Sequence, residues 1–263
     1  MVNNIALNMD CMEYLKSVPD KYFDLAVVDP PYGGGAKEEY GAKLNGGGAD
    51  FESRPRSRFG QRFDRYYIGV QVGREVGNTI PTNGEERDLD KTRDIRHWDI
   101  APSQEYFNEL ARVSKNQIIW GGNYFSLPAT RCFLIWEKTI PENFTMAMCE
   151  YAWTSFNANA KIWKGTQIGD KKDPRFHPTQ KPVALYEWIY KLFAKAGDKI
   201  LDTHLGSGSS RIAAYNAGLD FTGIEIDKYY FDKQEERFAE HIKQGNLFVP
   251  ETKTKYVQGD LFE

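Results

Sequence analysis

The strongest structural signal in the sequence is the segment Leu25-Ala26-Val27-Val28-Asp29-Pro30-Pro31-Tyr32, and three glycines follow it at positions 33–35. Its four apolar residues predict a short buried strand, and the Asp-Pro-Pro sequence predicts a rigid turn at the carboxyl end of that strand. In open α/β sheets, ligands bind at this edge. We therefore expect a binding site directly after residue 28.

The chemistry of this turn suits an amino group on a flat heterocycle. Neither Pro30 nor Pro31 has an N–H group, so the carbonyl before each proline can face a ligand. Asp29 adds a carboxylate, and Tyr32 adds an aromatic face for stacking. A proline-stiffened surface turn is the alternative interpretation of these four residues alone.

Length, charge and cysteine content restrict the class of protein. The chain suits a single α/β domain, residues 1–263, and its formal net charge of −3 means that any nucleic-acid surface must be local. Cys11, Cys132 and Cys149 are scattered without metal-ligand spacing, which predicts reduced core thiols, no metal site and a cytoplasmic location. No apolar run approaches membrane-spanning length, so we expect no membrane contact.

The amino-terminal residues predict one β-α-β unit with a right-handed crossover. Residues 3–9 form a plausible strand, and Asp10 with Glu13 forms a capping box for a helix through residue 16. The second strand covers residues 23–28.

Regular periodicity is lost in residues 33–97, which we interpret as an inserted, loop-rich segment that contacts DNA. An irregular stretch of this length inside a domain is usually a functional element. Its arginines alternate with Phe and Tyr, a combination that suits phosphate contacts and base stacking. A solvated loop is the alternative interpretation. The DNA-contact residues that we select are Arg54, Arg56, Arg58, Arg62 and Arg65.

The remaining elements complete an α/β pattern. Ser103 begins a helix that runs to residue 113, and a strand covers residues 117–120. Two strands are expected to form an antiparallel pair at one edge of the sheet, followed by a polar connection at residues 161–164. The two strands of this pair cover residues 132–136 and 150–154.

The second half of the chain begins with the segment HPTQKP, residues 177–182, which opens a helix. The apolar face of this helix is expected to comprise Leu185, Trp188, Ile189, Leu192 and Phe193. Further elements are a strand at 199–201, a helix to residue 217, a strand at 221–226, a helix at 229–243, and a tail, residues 246–263.

A nucleotide-type pattern follows the strand at 199–201. Asp202 ends that strand, a glycine loop and a helix come next, and Glu225 ends the following strand. Such a loop presents backbone N–H groups and a helix amino terminus to an anionic group, while the carboxylate binds ribose hydroxyls. The loop lacks the GxGxxG pattern, so a carboxylate suits it better than a pyrophosphate, and Asp202 suits an ammonium group. These features together describe S-adenosylmethionine.

With both patterns in this order, the chain resembles a DNA amino-methyltransferase of the β arrangement, of phage or restriction-modification type. The segments that carry the resemblance are NMDCMEYL, LAVVDPPYG, HPTQKP, ILDTHLGSGSS and GIEID. The resemblance implies a doubly wound, mostly parallel sheet with an antiparallel edge pair, circularly permuted so that the catalytic half comes first. The strand at 3–9 should then lie beside the strand that ends at Glu225. One departure is the Thr203-His204 sequence, where the family usually has Pro-Phe.

The resemblance also implies roles for individual residues. Asp29 and the Pro30 carbonyl would accept the two amino hydrogens of a flipped base, Pro31 would stiffen the turn, and Tyr32 would stack on the base. His177 and His204 are expected to pack rather than to react. The expected cofactor-binding residues are Asp10, Cys11, Lys181, Asp202, Thr203, Gly206, Ser207, Gly208, Glu225 and Asp227.

The implied activity is site-specific methyl transfer from S-adenosylmethionine to adenine N6 in double-stranded DNA, by base flipping and direct displacement. Aspartate rather than serine at position 29 favours adenine; cytosine N4 is the nearest alternative. A catalytically idle subunit that binds DNA or S-adenosylmethionine is the alternative of another class. A cognate restriction endonuclease and, through Gln258–Phe262, the bacterial sliding clamp are further candidate partners.

Overall fold

The computed structural model describes residues 2–33, 100–139, 147–166 and 175–246. The strands within these residues are β1 Asn4–Asn8, β2 Phe23–Val28, β3 Ser114–Trp120, β4 Phe133–Lys138, β5 Cys149–Thr154, β6 Lys161–Gly165, β7 Lys199–Asp202 and β8 Asp220–Glu225. The helices are α1 Cys11–Ser17, α2 Gln104–Val113, α3 Val183–Phe193, α4 Ser209–Asn216 and α5 Lys228–Asn246.

The eight described strands form one sheet in the order β1-β8-β7-β2-β3-β5-β4-β6. Strand β5 is antiparallel to both of its neighbours, and every other pairing is parallel. The two halves of the chain meet where β2 pairs with β7, with Leu25 opposite Ile200. Strand β1 pairs with β8, so that Asn8 lies opposite Glu225. This order confirms the doubly wound, circularly permuted α/β fold.

Both faces of β2 are buried, as its apolar sequence predicts. Leu25 and Val27 pack into a core under α3 and α4, whereas Ala26 and Val28 pack into a second core under α1 and α2. Strand β2 is therefore fixed from two sides, and its carboxyl end delivers the Asp-Pro-Pro-Tyr turn to the edge of the sheet.

Local capping rules account for the start of the first helix. The Asp10 carboxylate accepts hydrogen bonds from the backbone N–H groups of Met12 at 2.7 Å and of Glu13 at 3.1 Å. Its role as the N-cap of α1 is therefore confirmed. At the start of α2 the Ser103 side chain makes no capping bond; its carbonyl accepts the Tyr106 N–H instead.

At the far edge of the sheet, two predictions were wrong in detail: the polar connection at residues 161–164, and the outermost position of the antiparallel pair. Residues 161–165 form the strand β6 rather than a connection, because they pair in parallel with β4 and pack Trp163 against Trp136 at 6.2 Å between ring centroids. The antiparallel strand β5 therefore lies between β3 and β4, and β6 forms the edge.

The buried face of α3 also differs from the prediction. Leu185, Tyr186, Ile189 and Tyr190 are its buried residues, whereas Leu192 is 42% exposed. Two tyrosines thus replace the more apolar Leu192 in the core. The three cysteines are free, but only Cys132 is fully buried, and Cys149 is exposed at the start of β5. Within the described ranges, every helix is too short or too polar for a membrane span.

Candidate active site

The predicted catalytic turn lies at the carboxyl edge of the sheet, between the ends of β7 and β3. The Tyr32 hydroxyl donates to Asp29 Oδ1 at 2.8 Å, and the Lys181 ammonium donates to Asp29 Oδ2. The side chains of Asp29 and Lys181 are only 13% and 3% exposed. Burial raises the pKa of Asp29, an effect that the charge of Lys181 opposes. The turn therefore presents a desolvated carboxylate that is held by two donors.

An aromatic wall stands beside this carboxylate. The Tyr32 ring stacks on Tyr124, with centroids 4.8 Å apart and planes at 22°, and meets the edge of Phe125 at 6.1 Å. Gly121 follows β3 with φ +66°, and a Cβ at this position would lie 2.1 Å from Tyr32 Cε1. Only glycine satisfies both the left-handed backbone and the close approach of the ring. Gly121 therefore fixes the place of Tyr32.

The half of the chain that is predicted to bind the cofactor contains two more buried carboxylates. Glu225 accepts hydrogen bonds from the backbone of Gly206 at 2.7 Å and of Asp227 at 2.9 Å. Asp202 accepts from the backbone of His204 at 3.1 Å and from the Ser210 hydroxyl. Burial raises the pKa of each carboxyl to about 7. Because neither forms an ion pair with another described residue, both can receive a donor from a ligand.

The glycine loop between these carboxylates has the shape that its sequence predicts. Gly206 and Gly208 have φ values of +52° and +74°, and Gly208 is the N-cap of α4. Ser207 bonds to the Ser209 hydroxyl at 3.1 Å. His177 packs against Tyr230 with ring centroids 4.3 Å apart, in agreement with the packing role predicted for it.

The Thr203-His204 departure from the family pattern forms a small polar cluster. Thr203 Oγ1 lies 2.6 Å from the Tyr106 hydroxyl and 3.0 Å from His204 Nδ1. Burial lowers the pKa of His204 to about 4, so its imidazole is neutral at pH 7. The ring packs on the edge of Tyr106, as predicted. Tyr106 on α2 thereby connects the cofactor loop to the other half of the chain.

The predicted residues at the two ends of the fold meet in the same region. Asn8 donates to the Glu225 carbonyl at 2.8 Å, which places the start of α1 beside the end of β8. Burial and the charge of Asp10 raise the pKa of Cys11 to about 12, so that thiol stays protonated. Asp227 accepts from the backbone N–H groups of Tyr229 and Tyr230, and thus caps α5.

The sequence analysis assigned no role in the site to Glu150, Lys138 or Gly121, nor to the aromatic residues Tyr106, Tyr124 and Phe125. Glu150 on β5 binds Lys181, and Lys138 on β4 binds Glu150. The signal for Glu150 was its position two and four residues before Ala152 and Thr154. Side chains at this spacing share one face of a strand, so Glu150 lies on the inward face of β5. The signal for Gly121 was its position directly after a strand of the same sheet.

Several predicted residues cannot be placed. Arg54, Arg56, Arg58, Arg62 and Arg65 lie outside the described residues, as does the segment Gln258–Phe262. Among the residues that are described, no group of three or more His, Cys, Asp or Glu side chains is arranged to hold a metal ion.

Comparison with known proteins agrees with this geometry. Residues 135–236 match the model of the N6/N4 methyltransferase family, described as DNA methylase. The Type II methyltransferase M.HinfI of Haemophilus influenzae is 26% identical over 268 residues, which cover 90% of this chain and 68% of that protein. The Type II methyltransferase M2.DpnII of Streptococcus pneumoniae is 26% identical over 243 residues, 86% of each chain.

A likeness of fold extends to solved structures. The PvuII DNA methyltransferase, described as cytosine-N4-specific, is 12% identical and has a TM-score of 0.50 over 93% of each chain. The permuted sheet, the Asp-Pro-Pro-Tyr turn at its carboxyl edge and the matches of family and relatives lead to one conclusion. The chain is similar to the DNA amino-methyltransferases of restriction-modification type.

Proposed function

We propose that this protein transfers a methyl group from S-adenosylmethionine to adenine N6 at specific sites in double-stranded DNA. The observation that carries the proposal is the buried Asp29 carboxylate at the end of β2, with the Tyr32 ring beside it. In the sheet, β7 lies next to β2 and β8 lies next to β7, and these two strands end in Asp202 and Glu225. One edge of the sheet thus offers an acceptor for an amino group next to a site for a cofactor.

The described residues fit S-adenosylmethionine. Asp202 is a buried carboxylate without a cationic partner among them, and an ammonium group would supply one. Glu225 keeps lone pairs for ribose hydroxyls after it accepts two backbone N–H groups. Asp10 uses Oδ1 to cap α1, which leaves Oδ2 to accept from the adenine amino group of the cofactor. We assign Cys11, Thr203, Ser207 and the glycine loop to the wall of the same pocket.

The cofactor, when bound, supplies an electrophilic methyl group on a sulfonium. The amino group of adenine is a poor nucleophile because its lone pair is delocalised into the ring. Asp29 and the Pro30 carbonyl would accept hydrogen bonds from its two N–H groups, which favours a tetrahedral nitrogen with an available lone pair. As the N–C bond forms, the C–S bond would break, S-adenosylhomocysteine would leave, and the amino nitrogen would lose its surplus proton to Asp29 or to water. Tyr32 holds the flipped base in plane by stacking. Position and matched electrostatics, rather than a covalent enzyme intermediate, lower the barrier.

Aspartate at position 29 supports adenine as the target base, as the resemblance implies. We further propose that the inserted segment, residues 33–97, contacts DNA through its arginines, because it begins directly beside the catalytic turn. A cognate restriction endonuclease and the sliding clamp remain candidate partners. Loss of clamp binding on deletion of residues 258–263 would support the second.

The experiment is incubation of the full chain with methyl-labelled S-adenosylmethionine and unmethylated bacterial DNA, followed by mass spectrometry of the nucleosides. We expect N6-methyldeoxyadenosine from the wild-type protein and none from Asp29→Ala. Asp232→Ala, which removes an exposed ion pair with Lys228 on α5, is the control and should methylate normally. N4-methylcytosine would overturn the base choice. Cofactor binding without any methylated product would overturn the enzyme in favour of an idle binding subunit.

A further inference from the structure

Four charged side chains of alternating sign run along one face of the sheet, behind the catalytic turn. Lys181 Nζ binds Asp29 and lies 3.2 Å from Glu150 Oε2, and Glu150 Oε1 lies 2.6 Å from Lys138 Nζ. The side chains of Lys138 and Lys181 are 5% and 3% exposed. The proposed function assigns a role to Asp29 in this row of charges, but none to Glu150 or Lys138.

The register of the strands explains how Glu150 reaches this place. Ala152 lies opposite Trp120, and Glu150 lies opposite Trp136. Glu150 and Ala152 share a face, because side chains two residues apart on a strand point the same way. Lys181 and Lys138 lie 5.3 Å and 5.1 Å from the ring centroids of these two tryptophans. The indole rings keep water away, so each ammonium depends on the carboxylates.

Each oxygen of the Asp29 carboxylate already accepts one hydrogen bond in this arrangement. Tyr32 occupies Oδ1 and Lys181 occupies Oδ2. An amino group that binds at Oδ2 competes with the Lys181 ammonium for that oxygen, which weakens the hold of Asp29 on Lys181. A buried ammonium that loses its partner is strongly destabilised. Glu150 already lies within reach and offers Lys181 another partner.

We propose that Glu150 is a positioning residue for methyl transfer: it accepts the Lys181 ammonium when the amino group of the target base takes the place of that ammonium at Asp29 Oδ2. This inference rests on the proposed function and deepens it. The exchange moves no proton, because Lys181 stays charged throughout. The charge of Lys138 keeps Glu150 ionised before the base binds.

The charges around Lys181 are consistent with this exchange. Burial alone would raise the pKa of Glu150, but the ammonium groups of Lys181 and Lys138 hold it below its usual range. Burial alone would lower the pKa of Lys181, but the two carboxylates raise it. The titratable groups that interact with the charge of Lys181 are Asp29 after β2, Glu150 on β5, Asp202 on β7 and His177 in the preceding turn. Tyr32 and Tyr186 interact with Asp29 and Glu150 instead, and Lys138 interacts with Glu150.

The decisive variant is Glu150→Gln, which keeps the shape of the side chain and removes its charge. We expect kcat to fall about tenfold or more, while the affinity for S-adenosylmethionine changes little. We also expect the alkaline limb of the pH profile to move to lower pH, because Lys181 loses a carboxylate that raises its pKa. Glu137→Gln is the matched control: this Glu lies on β4 in an exposed ion pair with Lys164, 3.0 Å apart.

A second variant separates positioning from simple charge balance. Lys138→Met combined with Glu150→Gln removes one charge of each sign, so thermal stability should recover towards that of the wild type. We expect kcat to stay low in this double variant, because Lys181 still lacks its second partner. Recovery of wild-type kcat would overturn the inference, since Glu150 would then serve only to balance Lys138.

Two further outcomes are distinguishable. If the wild-type protein methylates no DNA, the proposed function fails, whereas wild-type kcat in Glu150→Gln refutes only the positioning role. A readout without turnover is the nitrogen NMR resonance of Lys181 Nζ, titrated with pH in the presence of S-adenosylmethionine. Its pKa should be lower in Glu150→Gln than in the wild type. An unchanged pKa would show that Glu150 does not act on Lys181.

Discussion

Replacing Gly121 by alanine should displace Tyr32 from the catalytic turn. The left-handed backbone at this position costs a non-glycine residue roughly 1–2 kcal/mol. In addition, the new Cβ would lie 2.1 Å from the Tyr32 ring, whereas ordinary contact begins at 3.4 Å. The ring would have to move by about 1.3 Å, which would stretch its 2.8 Å hydrogen bond to Asp29 to about 4 Å. A lost bond to a charged group adds about 1.5–3 kcal/mol.

Gly218→Ala is the matched control for this variant. Gly218 has the same φ of +66°, but a Cβ at that position would meet nothing within 4 Å. Thermal denaturation should therefore show a melting temperature for Gly121→Ala roughly 3–10 °C below that of Gly218→Ala. Methyl transfer to DNA should fall about tenfold to a hundredfold in Gly121→Ala alone. Equal stability and equal activity of the two variants would refute the claim that the contact with the ring, rather than backbone strain, makes Gly121 necessary.

Three other perturbations follow from the same structure. Burial raises the pKa of Asp202 to about 7, so the folded protein favours the protonated carboxyl. This group therefore stabilises the free protein at acid pH, and the stabilisation is lost as the pH rises through about 7. An ammonium ligand needs the ionised form; calorimetry should show weaker S-adenosylmethionine binding as pH falls from about 8 to about 6, and a pH-independent affinity would contradict the assignment. Asp10→Ala should lower the free energy of unfolding by about 1 kcal/mol, and Asp10→Ser should restore stability in denaturant titrations without restoring cofactor affinity. An alkylating reagent should modify Cys149 before Cys132 in a mass-spectrometric time course, because only the former is exposed; the opposite order would mean that β5 is not placed as described.

Local rules accounted for much of the fold. The apolar run before Asp29 specifies a strand that is buried on both faces, and the side chain of Asp10 specifies the start of a helix. These signals act within a few residues, so they can be recognised without knowledge of the tertiary contacts. The family resemblance implied the sheet order, because it placed the strand that precedes Asp10 beside the strand that ends at Glu225.

Features that depend on distant pairing were missed for a physical reason. Strand β6 has a short, polar sequence, and it is a strand only because β4 lies next to it. On α3, Tyr186 is buried, whereas the apolar pattern predicted a buried Leu192. The pattern gives the apolar residues of the helix but not the face that packs against the sheet. The place of Glu150 opposite Trp136 depends on the register between β4 and β5, which the alternation of a single strand cannot give.

The pairing of β1 with β8 has a consequence for synthesis on the ribosome. Asn8 and the Glu225 carbonyl that it binds are 217 residues apart in the chain. At about 5–20 residues per second, β1 leaves the ribosome roughly 10–40 s before its partner has been made. During this interval its hydrogen-bonding edge is a target for chaperones and for aggregation. The pocket assigned to the cofactor therefore closes last, and a nascent chain that stops short of β8 cannot complete it.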